Sequence, residues 1–356
     1  MSPHGSMRSS KGLQQRRDVP MLNIARLQEK DRRDLFRATA EQMRVNEAII
    51  EKDFWVCWTL DYLFHESPWK EQLAFKGGTS LSKAYGAIQR FSEDIDLILD
   101  WTLLGYSKDE PWQQESNTQR STFCQKANER CVLFLSAPFV PQIFKDLSAR
   151  TPLPIDIIAH GQDVLIHYPK AFSAAGILPQ IKLEIGPMAA WLPHETCSII
   201  PYAAERFPEK FKKPLSQIRT IKAERTFWDK VTILHQEAHR EKGRKLLPRY
   251  SRHYYDLYRM TATPIKNRAL TDLSLLADVV RFKKNFYYCA WANFETAVPG
   301  TLKLLPPEHN IAAFAADYKA MEAMLFGEIP SFDDILAGLT ELETTLNAIP
   351  PPPSRV

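Results

Sequence analysis

One stretch, residues 73–99, restricts the fold more than any other. LAFK (73–76) is short and apolar and predicts a strand. Gly77-Gly78 breaks it, Thr79 or Ser80 can cap a helix, and Leu81, Ala84, Tyr85 and Ile88 then recur at helical spacing. FSEDIDLIL (91–99) predicts a second strand. The order is strand, glycine turn, helix, strand.

The residue types in that order carry chemistry. Residues two apart on a strand project from one face, so Asp94 and Asp96 point the same way while Ile95 and Leu97 face the core. Two adjacent carboxylates repel unless a cation lies between them. Their hard oxygens suit Mg²⁺, which keeps waters and takes substrate phosphates as further ligands. Gly77 and Gly78 allow backbone N–H groups to approach a phosphate without a Cβ in the way, and the following helix start adds further donors. The hydroxyl of Thr79 or Ser80 can bond a phosphate oxygen. Lys76, ending the strand, and Lys83, one turn into the helix, are the lysines nearest such a phosphate.

The rest of the chain supplies the frame. Residues 8–65 read as helical, with Ile50, Phe54, Cys57, Trp58, Leu60 and Leu63 on one broad face. Trp55 and Trp58 read as core. Residues 102–121 read as a loop and 122–136 as a helix. Strands are expected at 153–159, 164–168 and 181–185, the last with Ile181, Leu183 and Ile185 on one face and Lys182 and Glu184 on the other. After Pro214 the pattern is helical almost to the end. The expected fold class is therefore α+β: a mixed sheet flanked by helices, then a mainly helical C-terminal domain. The expected divisions are a flexible N-terminus (1–20), an α/β domain with N-terminal helices (21–214), a helical domain (215–349) and a Pro-rich tail (350–356).

Composition excludes several classes. No apolar run is long enough to span a membrane, and no apolar core of a secretory leader precedes the first helices. The five cysteines are scattered, with no CxxC, and read as reduced thiols in the cytoplasm rather than a disulfide frame or zinc site. The formal charge of +4 permits a nucleic-acid partner without requiring one. Charge is concentrated at 240–249 (REKGRKLLPR), with five Lys or Arg.

A glycine turn, one helix and a strand with two carboxylates is similar to the minimal core of the polymerase-β type nucleotidyltransferase fold. That resemblance implies a third carboxylate on a neighbouring strand, for which Glu184 is the candidate. Residues 75–99 (FKGGTSLSKAYGAIQRFSEDIDLIL) more specifically resemble the AbiEii/AbiGii-type toxin nucleotidyltransferases. Further resemblances follow in family order between residues 45 and 260: Glu51-Lys52-Asp53 with Phe54-Trp55, IKLEIG (181–186), RTFWDKVTILH (225–235) and RHYYDLY (252–258). Asp229 stands where relatives often carry Glu. The last hundred residues resemble nothing nameable.

The resemblance implies a toxin of a toxin–antitoxin or phage-defence system that takes a nucleoside triphosphate and Mg²⁺ (or Mn²⁺). Characterised relatives transfer nucleotides to tRNA 3′ ends, which makes tRNA the expected acceptor and an antitoxin protein an expected partner. Carried over by position, Asp94 and Asp96 are the metal carboxylates and Ser80 the small hydroxyl residue. Ser92 lies near the nucleotide. Lys230 is the helix lysine that reaches the triphosphate, and Asp256 is the late aspartate that orients it or acts on the incoming hydroxyl. An interhelical salt bridge is the other reading of Lys230 and Asp256. His235 and His253 read as packed or hydrogen-bonded. The segment 240–249 is where an RNA acceptor would be held by phosphate contacts. Two other functions fit the same residues: transfer to a protein or small-molecule hydroxyl, and nucleotide binding without catalysis.

Overall fold

A computed structural model describes residues 21–350, apart from Glu93, Ala175 and Gly176. The expected N-terminal segment 1–20 and nearly all of the Pro-rich tail lie outside the described residues.

The fold is α+β. Among the described residues, seven strands form one mixed sheet in the order β3-β4-β5-β2-β1-β7-β6. They are β1 (Leu73–Lys76), β2 (Asp94–Leu99), β3 (Asp156–His160), β4 (Asp163–His167), β5 (Ile181–Gly186), β6 (His194–Ile199) and β7 (Ser216–Ile221). β1 runs antiparallel to β2 and parallel to β7, and β2 runs parallel to β5. The helices used below are α1 (Glu29–Met43), α2 (Glu47–His65), α3 (Gly77–Lys83), α4 (Asn117–Phe134), α5 (Val140–Arg150), α6 (Ala223–Ala238), α7 (Arg252–Thr261), α8 (Pro264–Leu270), α9 (Leu273–Phe286), α10 (Glu308–Ala320) and α11 (Phe332–Asn347).

Among the described residues there are two large hydrophobic cores and a small cluster of Ala74, Ile98 and Ile221. The first packs α1, α2, α4 and α5 on the sheet through residues such as Phe36, Trp55, Trp58, Leu97, Leu183 and Ile218. α2 is buried from Ala48 to Phe64 on every side, so Trp55 and Trp58 are core, as expected. Its buried charges all have partners. Glu51 accepts from the N–H groups of Ala171 and Phe172, Asp53 meets Lys83, and Asp61 meets Arg150. The second core joins α6, α7, α9, α10 and α11 and takes Leu81, Ala87 and Ile88 from the segment below β1. Phe282 and Phe286 cross back into the first core.

Three expectations need correction. The boundary at 215 falls just before β7, which pairs with β1 and is part of the sheet. The helical unit begins after Ile221. In β7, Ser216, Ile218 and Thr220 are buried while Gln217 and Arg219 are not, but two of these three inward residues are polar, so the period of two does not show as apolar alternation. β6 (HETCSI) carries little apolar pattern because it is an edge strand. Second, α3 stops at Lys83, and Gly86 at φ +58° turns the chain. The helical spacing of Leu81 and Ile88 reflects a shared core rather than one helix. Third, α4 begins at Asn117, capped by Ser116 and Gln119 in a capping box, inside the expected loop.

His235 of α6 is fully buried in the second unit. Its Nε2 faces the Asn293 carbonyl at 3.1 Å, and its Nδ1 accepts from the Lys303 N–H at 3.1 Å. Burial pulls its pKa down from 6.5 to about 4. Between those values the unfolded chain binds a proton that the folded chain refuses. The stabilisation is therefore complete above pH 6.5 and is lost as pH falls toward 4. Going from pH 7.5 to pH 5 should cost about 2 kcal/mol from this residue. Urea midpoints at the two pH values should differ less in His235→Gln than in the parent. Equal pH dependence in both proteins would assign the effect elsewhere.

Candidate active site

The site grows from the end of β1. Lys76 is the register partner of Asp96 on β2, and its Nζ lies 3.9 Å from Asp96 Oδ1. The chain then turns at Gly77 with φ +80°. A Cβ there would lie 2.0 Å from Asp96 Oδ2. A Cβ on Gly78 would lie 2.3 Å from the Arg90 guanidinium. The two glycines therefore admit a carboxylate and a guanidinium against the backbone at the start of α3.

The parallel pairing of β2 with β5 sets Asp96 beside Glu184 and Asp94 beside Lys182. All four project from the open face while Ile95, Leu97, Leu183 and Ile185 are buried. Lys182 Nζ stands 3.5 Å from Asp94 Oδ2 and also pairs with Glu184. Burial raises the pKa of Asp94 and of Asp96, against the pull of Lys182 and Lys76 respectively. Burial pushes Glu184 up as well, but its bond to Lys182 holds it below the usual carboxylate value.

Facing the sheet are α6, the start of α7 and the end of α9. Together they enclose a cleft of about 540 Å³, in the range of small-molecule sites. Gly77, Gly78, Ser92, Asp94, Asp96, Glu184 and Lys230 all line it. So do Lys76, Arg90, Arg225, Asp229, Arg252, His253, Lys283, Tyr287 and Tyr288. Burial draws the Lys283 ammonium down to about 8, while Asp229 opposes the shift.

Behind the cleft wall lies a buried ion cluster. Asp256 is fully buried. It accepts two bonds from Arg90, at 2.6 and 2.9 Å, and one from Lys230 at 2.7 Å. Burial pushes its carboxyl up, yet Arg90 and Lys230 hold it well below the ordinary range. Lys230 also meets His253 Nδ1 at 3.0 Å. Burial, followed by the charge of Lys230, keeps His253 neutral by drawing its pKa well below 6.5.

Several expected roles change on these positions. Ser80 is fully buried and donates to the Gly77 carbonyl at 2.9 Å. Thr79 is buried and donates to the Asp94 carbonyl. Neither hydroxyl faces the cleft, and neither caps α3, whose N-cap residue is Lys76. Lys83 points away to Asp53 at 2.8 Å, with its ammonium 3.7 Å from the Tyr202 ring centre. Asp256 lies behind the wall, where it can orient Lys230 but cannot meet an incoming hydroxyl. Glu184 neighbours Asp96, and its carboxylate and that of Asp94 meet at the Lys182 ammonium. Among the described residues no three His, Cys, Asp or Glu side chains converge as a closed metal shell. Mg²⁺ does not require one, since it is commonly held by one or two carboxylates with waters and substrate phosphates as the rest. Asp94 and Asp96 on an open cleft fit that donor set.

Sequence reasoning missed Arg90, Arg252 and Lys283, and set His253 aside. Arg90 had one visible signal, a charge between apolar Ile88 and Phe91. The others are assembled only by tertiary packing.

Gly77→Ala should be severe. The new methyl would require a positive φ and would overlap the Asp96 carboxylate. Nucleotide affinity is expected to fall by at least about tenfold, with a stability loss of about 1–3 kcal/mol. Nucleotide titration and urea unfolding test this, and wild-type values in both would exclude the close approach.

Comparison with known proteins adds the family. No curated protein matches the chain. Among solved structures it is similar to MenT4, a nucleotidyltransferase toxin from Mycobacterium tuberculosis H37Rv, at 15% identity and TM-score 0.48, with 89% of this chain and 90% of that one covered. It is also similar to a protein from H. pylori described as a candidate nucleotidyltransferase, at 14% identity and TM-score 0.36, covering 87% and 93%. Likenesses this distant do not bear on the chemistry. The family match does, because residues 60–338 fit the family model "Nucleotidyl transferase AbiEii toxin, Type IV TA system". That range is most of the chain and includes the whole cleft, so the protein belongs to the AbiEii family of nucleotidyltransferase toxins of type IV toxin–antitoxin systems.

Proposed function

We propose that this toxin transfers a nucleoside monophosphate from a nucleoside triphosphate to the 3′ end of tRNA, with Mg²⁺ or Mn²⁺ held by Asp94 and Asp96, in the cytoplasm. The observation that carries the reading is the juxtaposition of Gly77-Gly78 with those carboxylates in one cleft. When bound, the metal would neutralise triphosphate charge and favour the deprotonated acceptor hydroxyl.

The chain's own groups do the rest. Backbone N–H groups at the start of α3 face the phosphates. Lys230 and Lys76 supply positive charge, with Lys230 aimed by Asp256 and His253. Glu184, tied to Lys182, adds negative charge beside Asp96 and holds Lys182 away from the phosphates. Catalysis of this kind is mainly positioning and charge neutralisation. In a cell, the antitoxin would oppose an activity that consumes tRNA ends.

The test uses the full chain with α-labelled nucleotides and separate tRNA, protein and small-molecule pools. Label should enter tRNA at its 3′ end, and EDTA should abolish incorporation. Label found instead in protein or small molecules would overturn the tRNA acceptor. Incorporation unchanged by EDTA would overturn the metal.

A further inference from the structure

The carboxylate end of the cleft has a second, smaller opening. A notch of about 20 Å³ shares Arg90, Ser92, Asp94 and Arg252 with the main cleft and is otherwise lined by Arg249, Met321 and Met324. Asp94 lines both openings, whereas Asp96 and Glu184 line only the main cleft. The difference in size matters. The notch has room for one hydroxyl or water, not a nucleotide, whereas the main cleft has nucleotide dimensions.

Arg252 stands at the junction. It is exposed at the start of α7. Among the described residues no side-chain hydrogen bond or ion pair engages it. Its charge still acts on Asp96, Glu184 and Lys230. A guanidinium held over a cleft without a protein partner is suited to a ligand oxyanion, which it can grip with two parallel N–H bonds. Lys242, Arg244 and Lys245 are exposed on the segment leading to it.

In-line displacement at phosphorus puts the entering and leaving oxygens on opposite sides. With a triphosphate in the main cleft, the entering hydroxyl comes from the notch past Asp94. An acceptor using so narrow an entrance inserts only its terminal hydroxyl and leaves its backbone outside on the basic segment.

We propose that the notch is the acceptor entrance and that Arg252 holds the backbone phosphate preceding the terminal hydroxyl of a single-stranded RNA end. This rests on reading the site as an RNA nucleotidyltransferase. The hydroxyl oxygen bonds to the α-phosphorus, the bond to the bridging oxygen breaks, pyrophosphate departs through the main cleft, and the hydroxyl proton passes to solvent.

The test compares the parent with Arg252→Ala and Arg252→Lys, using a short single-stranded oligoribonucleotide without nucleotide and, separately, Mg²⁺–nucleotide without RNA. Arg252→Ala should bind the RNA about tenfold more weakly, with a slope of log affinity against log salt smaller by about 0.7. Nucleotide affinity should stay within about twofold of the parent. Arg252→Lys should keep the salt slope and recover part of the affinity. Lower nucleotide affinity with unchanged RNA binding would place Arg252 on the triphosphate and overturn the proposal, as would no change in either. Because RNA binding is read without turnover, it is separable from the activity. A parent that binds RNA through Arg252 but transfers no nucleotide would sink the enzymatic reading and leave the RNA contact standing.

Discussion

Asparagine at Asp94 or Asp96 is expected to reduce nucleotide transfer by about a thousandfold or more while the protein remains folded. The substitution keeps the shape and removes the charge. A preorganised electrostatic contact to a developing charge is commonly worth about 10²–10³ in rate, and a lost carboxylate also weakens the hold on a hard cation. Stability should move the other way. Burial already raises the pKa of both acids, so the folded chain bears a desolvation cost for keeping them ionised. Each asparagine variant should therefore unfold at the same urea concentration as the parent or higher, as expected where function is held against stability. Single-turnover transfer and urea unfolding measure the two effects. A variant that keeps a tenth of the parent's rate would remove that acid from the chemistry.

Asp256→Ala should be the most damaging single change to the fold. Asp256 is fully buried and neutralises Arg90 and Lys230, both nearly buried themselves. Its removal leaves two cations in a low-dielectric interior without an anion, which costs about 3–5 kcal/mol. The pH dependence has a definite sign. The folded carboxyl titrates below its unfolded value of 3.8, so its stabilisation is present above about pH 4 and is lost only in stronger acid. The same change should nearly abolish transfer, because Arg90 lies against Gly78 and Lys230 lines the cleft. Lys230→Met separates the two consequences. It keeps the Arg90–Asp256 pair, should cost less stability, and should still lose most activity. If Asp256→Ala and the parent share one urea midpoint, the ion cluster does not hold α7 against the glycine turn.

Much of the sheet was legible. β1 appeared at its observed bounds because a short apolar run met two glycines. β5 was legible because one buried face imposes strict alternation on Ile181, Leu183 and Ile185. The same alternation on β2 put Asp94 and Asp96 on the open face. β6 and β7 were missed for different reasons. An edge strand needs little apolar character, and β7 lay beyond Pro214, inside a region read as helical throughout.

The amino-acid order alone determined the carboxylate pair, the glycine turn and the helix carrying Lys230, because strand and helix periods are local properties. It could not determine which polar groups face the cleft. Thr79, Ser80 and Lys83 have the right chemistry at plausible spacing, but each is turned inward to a buried acceptor. Arg90 joins the site through Asp256, 166 positions away in the chain. Long-range packing decides such partners, because a buried charge goes where its counter-charge lies, and that location does not exist until the two cores have closed on each other.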